Sequence, residues 1–351
     1  MAGTRPRPVM TVHSRAPLRI NDIGGWTDTW FAAAGRVVNL AIDPAVEVQI
    51  KVLPNPSRTS RRVEVHATNF AEVFRFDPDH PVSEPHALLQ FTLGAIPIPA
   101  RYRLVVRIHS PVPPGISTGT SASVAVALLG ALNRAAGGGL TPLRIAALAH
   151  RVETRKLGLQ SGIQDQICAA RGGVSDIRMT RYPRSKVLPV PLRAEVRDEL
   201  NRRLMLVYLG RPHRSSAMHE RVIAELESGG RAAHPLERLK DLAGRARAAL
   251  LAGDLEGYGR AMAENNECQR ALFAGLISRE ADEVIRLARR WKASGWKVNG
   301  AGGQGGSLTL LASADDDLRQ GLDEEIGNLG RGVRLLPASL SPSGLSAWRV
   351  F

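Results

Sequence analysis

Cysteine is nearly missing from this chain: its 351 residues include two, Cys168 and Cys268, far apart in the sequence. That excludes a disulfide framework and a Cys-x-x-Cys metal site, and a reducing, cytoplasmic setting is the simplest expectation. Aromatic residues are scarce as well, at 5%. No basic stretch is interleaved with them, so the stacking platform that single-stranded nucleic acid needs is lacking. Long apolar runs are also missing. The most apolar one, residues 124–132, falls far short of the ~20 residues of a bilayer span. Residues 1–17 carry Arg5, Arg7 and Arg15 but no apolar signal core, so a soluble, unprocessed protein with no membrane partner is expected.

Charge of one sign is plentiful. The formal net charge is +14, with 24 basic against 13 acidic residues up to Glu195 and 23 against 20 after it. Such a surplus suits nucleic acid, a membrane surface or a small polyanion such as a nucleotide, and composition does not choose among them. Only six of the 47 basic residues are lysine. So strong an arginine bias reads as genomic composition rather than as a binding device, which blunts the nucleic-acid reading. With 44% hydrophobic residues the chain is long enough for two packed domains, and global disorder is excluded.

Residues 46–53, 61–68 and 101–109 read as strands, the last through the alternation Tyr102, Leu104, Val106, Ile108. A Pro/Gly turn at 111–115 leads into an apolar stretch of helical length at 124–133. Thr141-Pro142 is a good N-cap and N1 pair for a second helix, with Glu153 near its C-terminal end. After a strand at 186–191, the charged stretch 193–203 marks an expected boundary, giving domains 1–195 and 196–351. The second part reads as strand 204–209, several helices between 215 and 294, a strand near Trp296, strand 307–311, helix 315–328 and strands 333–336 and 346–351. This is an α+β pattern around an antiparallel sheet.

Four segments could carry chemistry. Residues 113–123, Pro-Pro-Gly-Ile-Ser-Thr-Gly-Thr-Ser-Ala-Ser, form a loop of small and hydroxylated residues ahead of a helix. Backbone N–H groups there can approach a phosphate at a positive helix end, or the segment is an ordinary strand-to-helix turn. It is not a Walker A loop, because no Gly-Lys-Ser/Thr follows. In Ser161-Gly162-Ile163-Gln164-Asp165-Gln166, the carboxylates of Asp165 and the earlier Glu153 suit Mg²⁺ ligation beside a base, unless Asp165 merely caps a helix. The glycine-rich segment 299–306 is compatible with a hairpin turn. The fourth segment is Ala16-Pro17-Leu18-Arg19-Ile20-Asn21-Asp22-Ile23-Gly24-Gly25-Trp26-Thr27-Asp28.

Taken together and in this order, the four resemble the motifs of the GHMP kinase superfamily, and within it the sugar 1-kinases related to D-glycero-D-manno-heptose 7-phosphate kinase and L-fucokinase. The supporting residues are Gly24-Gly25-Trp26-Thr27-Asp28, Val38-Asn39-Leu40-Ala41-Ile42, Gly162-Ile163-Gln164-Asp165-Gln166 with Gly172-Gly173, Arg214-Ser215-Ser216, and Val298-Asn299-Gly300-Ala301-Gly302-Gly303. The resemblance implies a two-domain α+β fold: an N-terminal domain like the second domain of ribosomal protein S5, then a ferredoxin-like domain. It implies Asp165 as catalytic base and Arg19 as cationic partner at the reacting phosphate. Pro114, Gly115, Ser117, Gly119, Thr120, Ser121 and Ala122 would hold ATP. Glu153 and Ser121 would hold Mg²⁺, with Thr120 as the alternative hydroxyl.

Gly24, Gly25, Thr27, Asp28, Gly302 and Gly303 would line the acceptor side. The implied reaction is phosphoryl transfer from ATP to a hydroxyl, the anomeric one, of a sugar or sugar phosphate. If the acceptor carries a phosphate, Arg214 or the N-terminal positive surplus could receive it. Within the fold, a homoserine or mevalonate-like alcohol is the alternative acceptor. Outside catalysis stand a ligand sensor, which an intact Asp165 and Glu153 argue against, and an S5-like nucleic-acid binder, which the scarcity of aromatics argues against. A homodimer is compatible with the sequence, which does not specify it. The sequence departs from the family pattern at Ser117, where a glycine is usual, at Thr120, and at Gln304, which interrupts the last glycine run. A β-carbon at Ser117 puts nucleotide affinity in question.

Overall fold

The computed structural model describes residues 7–32, 34–68, 72–212, 218, 220–224 and 233–350. Its spine is a pair of long antiparallel strands, β1 (Met10–Ile23) and β2 (Gly35–Pro54). Along β1 the burial changes. Val12, Ser14 and Ala16 alternate with half-buried neighbours, as on a sheet with one wet face, and every residue from Ala16 to Ile23 is then buried. The buried half lies under helices on both sides, so the functional residues it carries are held rigidly.

β2 is long enough to serve several partners. Its second half pairs with β5 (Tyr102–His109) and its first with β6 (Val174–Arg181). β3 (Val63–Ala67) runs parallel to β5 and pairs with β4 (Glu72–Phe76), while β7 (Arg184–Pro189) extends β6. After the short helix α1 (Ala87–Leu93), helix α2 (Thr120–Ala135) packs its Ala/Val/Leu face on β1 and β2. α3 (Pro142–Arg151) begins as its sequence suggests, the Thr141 side chain accepting from Arg144 N with Pro142 behind it. It ends in a π-turn, Val152–Lys156, followed by α4 (Gln164–Arg171).

Beyond α5 (Ala194–Arg203) comes strand β8 (Leu204–Leu209), then α6 (Ala233–Ala252), α7 (Leu255–Leu272), α8 (Arg279–Arg290), β9 (Gly295–Val298), β10 (Ser307–Leu311), α9 (Asp316–Gly327) and β11 (Val333–Leu336). The four strands form an antiparallel sheet in the order β11-β8-β10-β9, the ferredoxin-like arrangement of two βαβ halves. β8 is apolar at every position because both faces of this sheet are covered. Met205, Val207 and Leu209 pack with α8 and α9, whereas Leu204, Leu206 and Tyr208 belong to the core shared with the first sheet.

The expected α+β class holds, with one correction. The strand expected at 346–351 does not join the second sheet. β13 (Ser346–Val350) pairs with β1, from Thr11 opposite Val350 to Arg15 opposite Ser346, and β12 (Ser339–Leu340) pairs with β2. β1 otherwise presents an open edge, and the returning chain covers it. Residue 195, where the expected boundary fell, lies inside α5.

Candidate active site

A cleft of about 350 Å³ opens at the N-terminal end of α2, walled by the end of β1 and the turn after it, the loop 115–122, Glu153, the start of α4, and Gly300 with Ala301 from the second sheet. The order strand, small-residue loop, helix is as the sequence suggests. The loop has a distinctive backbone: Gly115, Ser117 and Gly119 all have positive φ, at 71°, 62° and 67°. The serine therefore occupies a left-handed conformation that glycine takes freely, at a cost of about 1 kcal/mol.

Arg19 ties the site together. Only 4% exposed, it donates from Nε and Nη2 to Asp165 Oδ1 at 2.9 and 2.7 Å and from Nη1 to the Ser117 carbonyl at 3.0 Å, while its own N–H reaches the Thr118 carbonyl at 2.9 Å. The guanidinium thus fixes both the carboxylate and the loop. Burial works against its charge, but Asp165 and Asp22 outweigh burial and push its pKa up. Asp165 stands in the first turn of α4 behind Ile163, which holds the N-cap position, so it is no capping residue. Its Oδ2 accepts no hydrogen bond from a described residue and faces Gly119, where a β-carbon would come within 3.2 Å of it.

Behind Arg19 lies a pair that sequence reasoning missed. Lys297, fully buried on β9, donates to Asp22 Oδ1 at 2.7 Å and to the Val298 carbonyl at 2.9 Å. Gly300 N donates to the same Asp22 oxygen at 3.1 Å, and Arg19 Nη1 lies 3.5 Å from it. Lys297, Asp22, Arg19 and Asp165 therefore alternate in charge from the second sheet to the cleft. Burial raises the Asp22 carboxyl, yet Lys297 and Arg19 prevail and hold it below its ordinary value. Burial holds Lys297 below its own, with Asp22 pulling the other way. The signal available was a lysine within a four-residue strand just ahead of the glycine-rich loop.

Glu153 sits in the π-turn rather than in regular helix, 6% exposed, accepting from Ser161 Oγ at 2.9 Å and Gln166 Nε2 at 2.7 Å through Oε2. A π-turn rotates one residue out of helical register, a device that recurs at functional sites. Oε1 is buried with no partner, and burial pushes the carboxyl up to about 7. Asp28 is buried too, accepting from Gln164 N at 3.0 Å, with burial raising it to about 6.

The remaining expected site residues divide. Gly115, Ser117, Gly119, Thr120, Ser121 and Ala122 line the cleft with Asp28. Pro114 instead lines an adjoining apolar cavity of about 420 Å³, which shares Gly115, Thr120 and Ser121 with the cleft and adds Ile108, Val112 and Val124. No signal in the sequence marked that cavity. Gly24, Gly25 and Thr27 shape the turn without lining the cleft: Thr27 Oγ1 donates to the Gly24 carbonyl at 2.7 Å, and a β-carbon on Gly24 would strike the Arg36 carbonyl at 2.1 Å. Gly302 and Gly303 pack on Leu276, to whose carbonyl Gly303 N donates at 2.7 Å, and Gly300 and Ala301 take their expected place at the cleft. Arg214 lies outside the described residues.

Residues 87–173, the span that holds the loop, Glu153 and Asp165, match the family model described as GHMP kinases N terminal domain. That span is similar to the N-terminal domain of GHMP kinases. The bifunctional fucokinase/GDP-fucose pyrophosphorylase of Arabidopsis thaliana is 27% identical over 329 residues, covering 88% of this chain and 31% of that protein. A mevalonate kinase of Thermococcus gammatolerans is 32% identical over 211 residues, 60% of each chain. The matches thus span about a third of the first relative and three-fifths of the second. Among solved structures, a D-glycero-D-manno-heptose 1-phosphate kinase from Bacteriodes thetaiotaomicron superposes with a TM-score of 0.75 at 20% identity, covering 97% of this chain and 99% of that one. Lactococcus lactis galactokinase complexed with galactose gives 0.74 at 17% identity over 96% and 95%. At these identities the structures establish the GHMP kinase fold, which is the fold the sequence motifs implied.

Proposed function

We propose that this protein is a GHMP-type kinase that transfers the γ-phosphoryl group of ATP to a hydroxyl, the anomeric one, of a sugar or sugar phosphate. The observation that carries the reading is the Arg19–Asp165 pair at the end of α2, with one carboxylate oxygen committed to the arginine and the other open to the cleft. In the proposed step the acceptor oxygen attacks phosphorus as the bond to the β-phosphate oxygen breaks. Asp165 Oδ2 orients the acceptor O–H and takes its proton, and ADP departs. Arg19 holds the Asp165 carboxylate in place through Oδ1 and lies beside the charge spread over the transferring group. The loop N–H groups and the N-terminus of α2 receive the phosphates, and the adjoining apolar cavity accommodates the base.

Mg²⁺ fits this site. Oε1 of Glu153 is buried without a hydrogen-bond partner and so keeps its lone pairs for a cation, and the hydroxyl of Ser121, which makes no hydrogen bond with a described residue, belongs to a residue that lines the same cleft. No cluster of three His, Cys, Asp or Glu side chains forms a cage among the described residues, so nucleotide oxygens would complete the ligand set. When bound, the ion would neutralise β- and γ-phosphate charge. In this reading Asp28, buried between Gly162 and the start of α4, would meet acceptor hydroxyls.

A sugar acceptor is favoured over a mevalonate-like alcohol by the fucokinase match, which extends over 88% of this chain against 60% for the mevalonate kinase above. The test is turnover with Mg²⁺ and ATP on heptose 7-phosphate, fucose, arabinose, galactose and mannose, with mevalonate and homoserine alongside. Phosphorylation of a sugar is expected. Turnover of mevalonate or homoserine alone would replace the acceptor, and no turnover of any would remove the kinase reading in favour of a ligand sensor.

A further inference from the structure

A second cavity, of about 650 Å³, lies across the π-turn from the cleft. Glu153 faces the cleft, whereas Val152, Arg155 and Lys156 of the same turn face this cavity. It has two kinds of wall. One is apolar, built from Leu104 of β5, Leu148 of α3 and the segment 95–98 after α1. The other is cationic, with Arg62, Arg151, Arg155 and Lys156 against a single carboxylate, Asp79.

That carboxylate is already neutralised. Arg62, 5% exposed, donates from Nη2 to both Asp79 oxygens at 2.9 and 2.8 Å and leaves Nη1 buried without a hydrogen-bond partner. Arg151, Arg155 and Lys156 are exposed at the rim. None of the three makes a side-chain hydrogen bond or ion pair with a described residue. Three unpaired cations converging on an apolar cavity are more than a lone carboxylate needs, and they suit the dianionic head of a phosphate monoester. Left empty, they repel one another, and an anion removes that cost.

We propose that this cavity is a ligand site separate from the phosphate-loop cleft, and that it takes a small organic phosphate with its head at Arg151, Arg155 and Lys156 and an apolar body against Leu104 and Leu148. The site stands whether or not the kinase reading does. Phenyl phosphate is the probe, titrated calorimetrically into the full chain with and without a saturating non-hydrolysable ATP analogue. One site is expected, unaffected by the analogue, with inorganic phosphate and benzoate each about tenfold weaker or worse. Arg155→Glu, at the exposed rim, should weaken phenyl phosphate about tenfold or more. Ala95→Trp, which fills the apolar end, should weaken phenyl phosphate and leave inorganic phosphate unchanged. Loss of binding in the presence of the analogue, unchanged affinity in Arg155→Glu, inorganic phosphate or benzoate binding as tightly as phenyl phosphate, or no binding by the unmodified chain would each overturn the proposal.

Discussion

Two carboxylates in the first half of this protein sit among arginines, and they are put to opposite uses. Asp176 on β6 is fully buried. It accepts from Arg36 at 2.8 and 2.9 Å and from Arg178 at 3.0 Å, with Arg247 of α6 at 3.3 Å from Oδ2, so both oxygens are committed. Burial raises its carboxyl, yet Arg36 and Arg178 together hold it below the ordinary range. Asp165 has one arginine on one oxygen and a side chain 28% exposed to the cleft. A closed carboxylate joins β2, β6 and α6. A half-open one retains an acceptor for a proton or a hydroxyl. Both are aspartates paired with arginine, and what separates them is the number of lone pairs left over, few beside three arginines and more beside one.

The largest effect that would sharpen this contrast is on rate. Asp165→Asn should reduce kcat by about 10²–10⁴-fold, far beyond any loss of stability, since Asp22 still faces Arg19 and the amide oxygen can still accept from it. Asp176→Asn should do the reverse, leaving kcat of the folded protein intact while lowering unfolding free energy by about 3 kcal/mol in denaturant titrations, because three guanidinium groups lose their counter-charge. A silent enzyme of unchanged stability in Asp176→Asn would break the comparison.

Next comes pH. Glu153 has its folded pKa raised to about 7 from an ordinary 4.5. The folded state then binds more protons than the unfolded state between these values, and stability falls as pH rises from 4.5 to 7. The full difference is about 3 kcal/mol. Unfolding of the ligand-free protein should therefore show higher stability at pH 5 than at pH 8, a slope that Glu153→Gln removes and that Mg²⁺ with ADP flattens. A slope that persists in Glu153→Gln would assign it to another group, such as Asp28.

The smallest effect concerns the loop. Ser117→Gly removes a left-handed serine and a buried hydroxyl without a partner, but adds glycine's unfolded-state entropy. A stability change within about 1 kcal/mol is expected, together with a lower KM for ATP and an unchanged kcat. An unchanged KM would mean that the β-carbon at 117 does not limit nucleotide approach.

Much of this site was legible along the chain because its parts are local devices. Residues 113–123 read as a turn of small residues ahead of a helix, either anion-binding or an ordinary strand-to-helix turn, and the turn and helix stand where they were read, as does the helix started by Thr141-Pro142. The spacing of Glu153 and Asp165 put two carboxylates at one place, though not the π-turn that aims the first of them. The resemblance put Gly302 and Gly303 on the acceptor side, whereas the cleft is lined by Gly300 and Ala301, because which face of a glycine-rich turn meets the other sheet depends on packing against Leu276.

The sequence by itself determined the order of the elements and the short contiguous patterns that carry the GHMP kinase resemblance, those around Arg19 and Asp165 among them. Only the tertiary structure decided that Lys297 on β9 buttresses Asp22 and Arg19, that β13 crosses back to close the edge of β1, and that Asp176 is sealed while Asp165 is open. Each of these joins residues far apart in the chain, and a carboxylate's remaining lone pairs are set by the partners that folding brings to it.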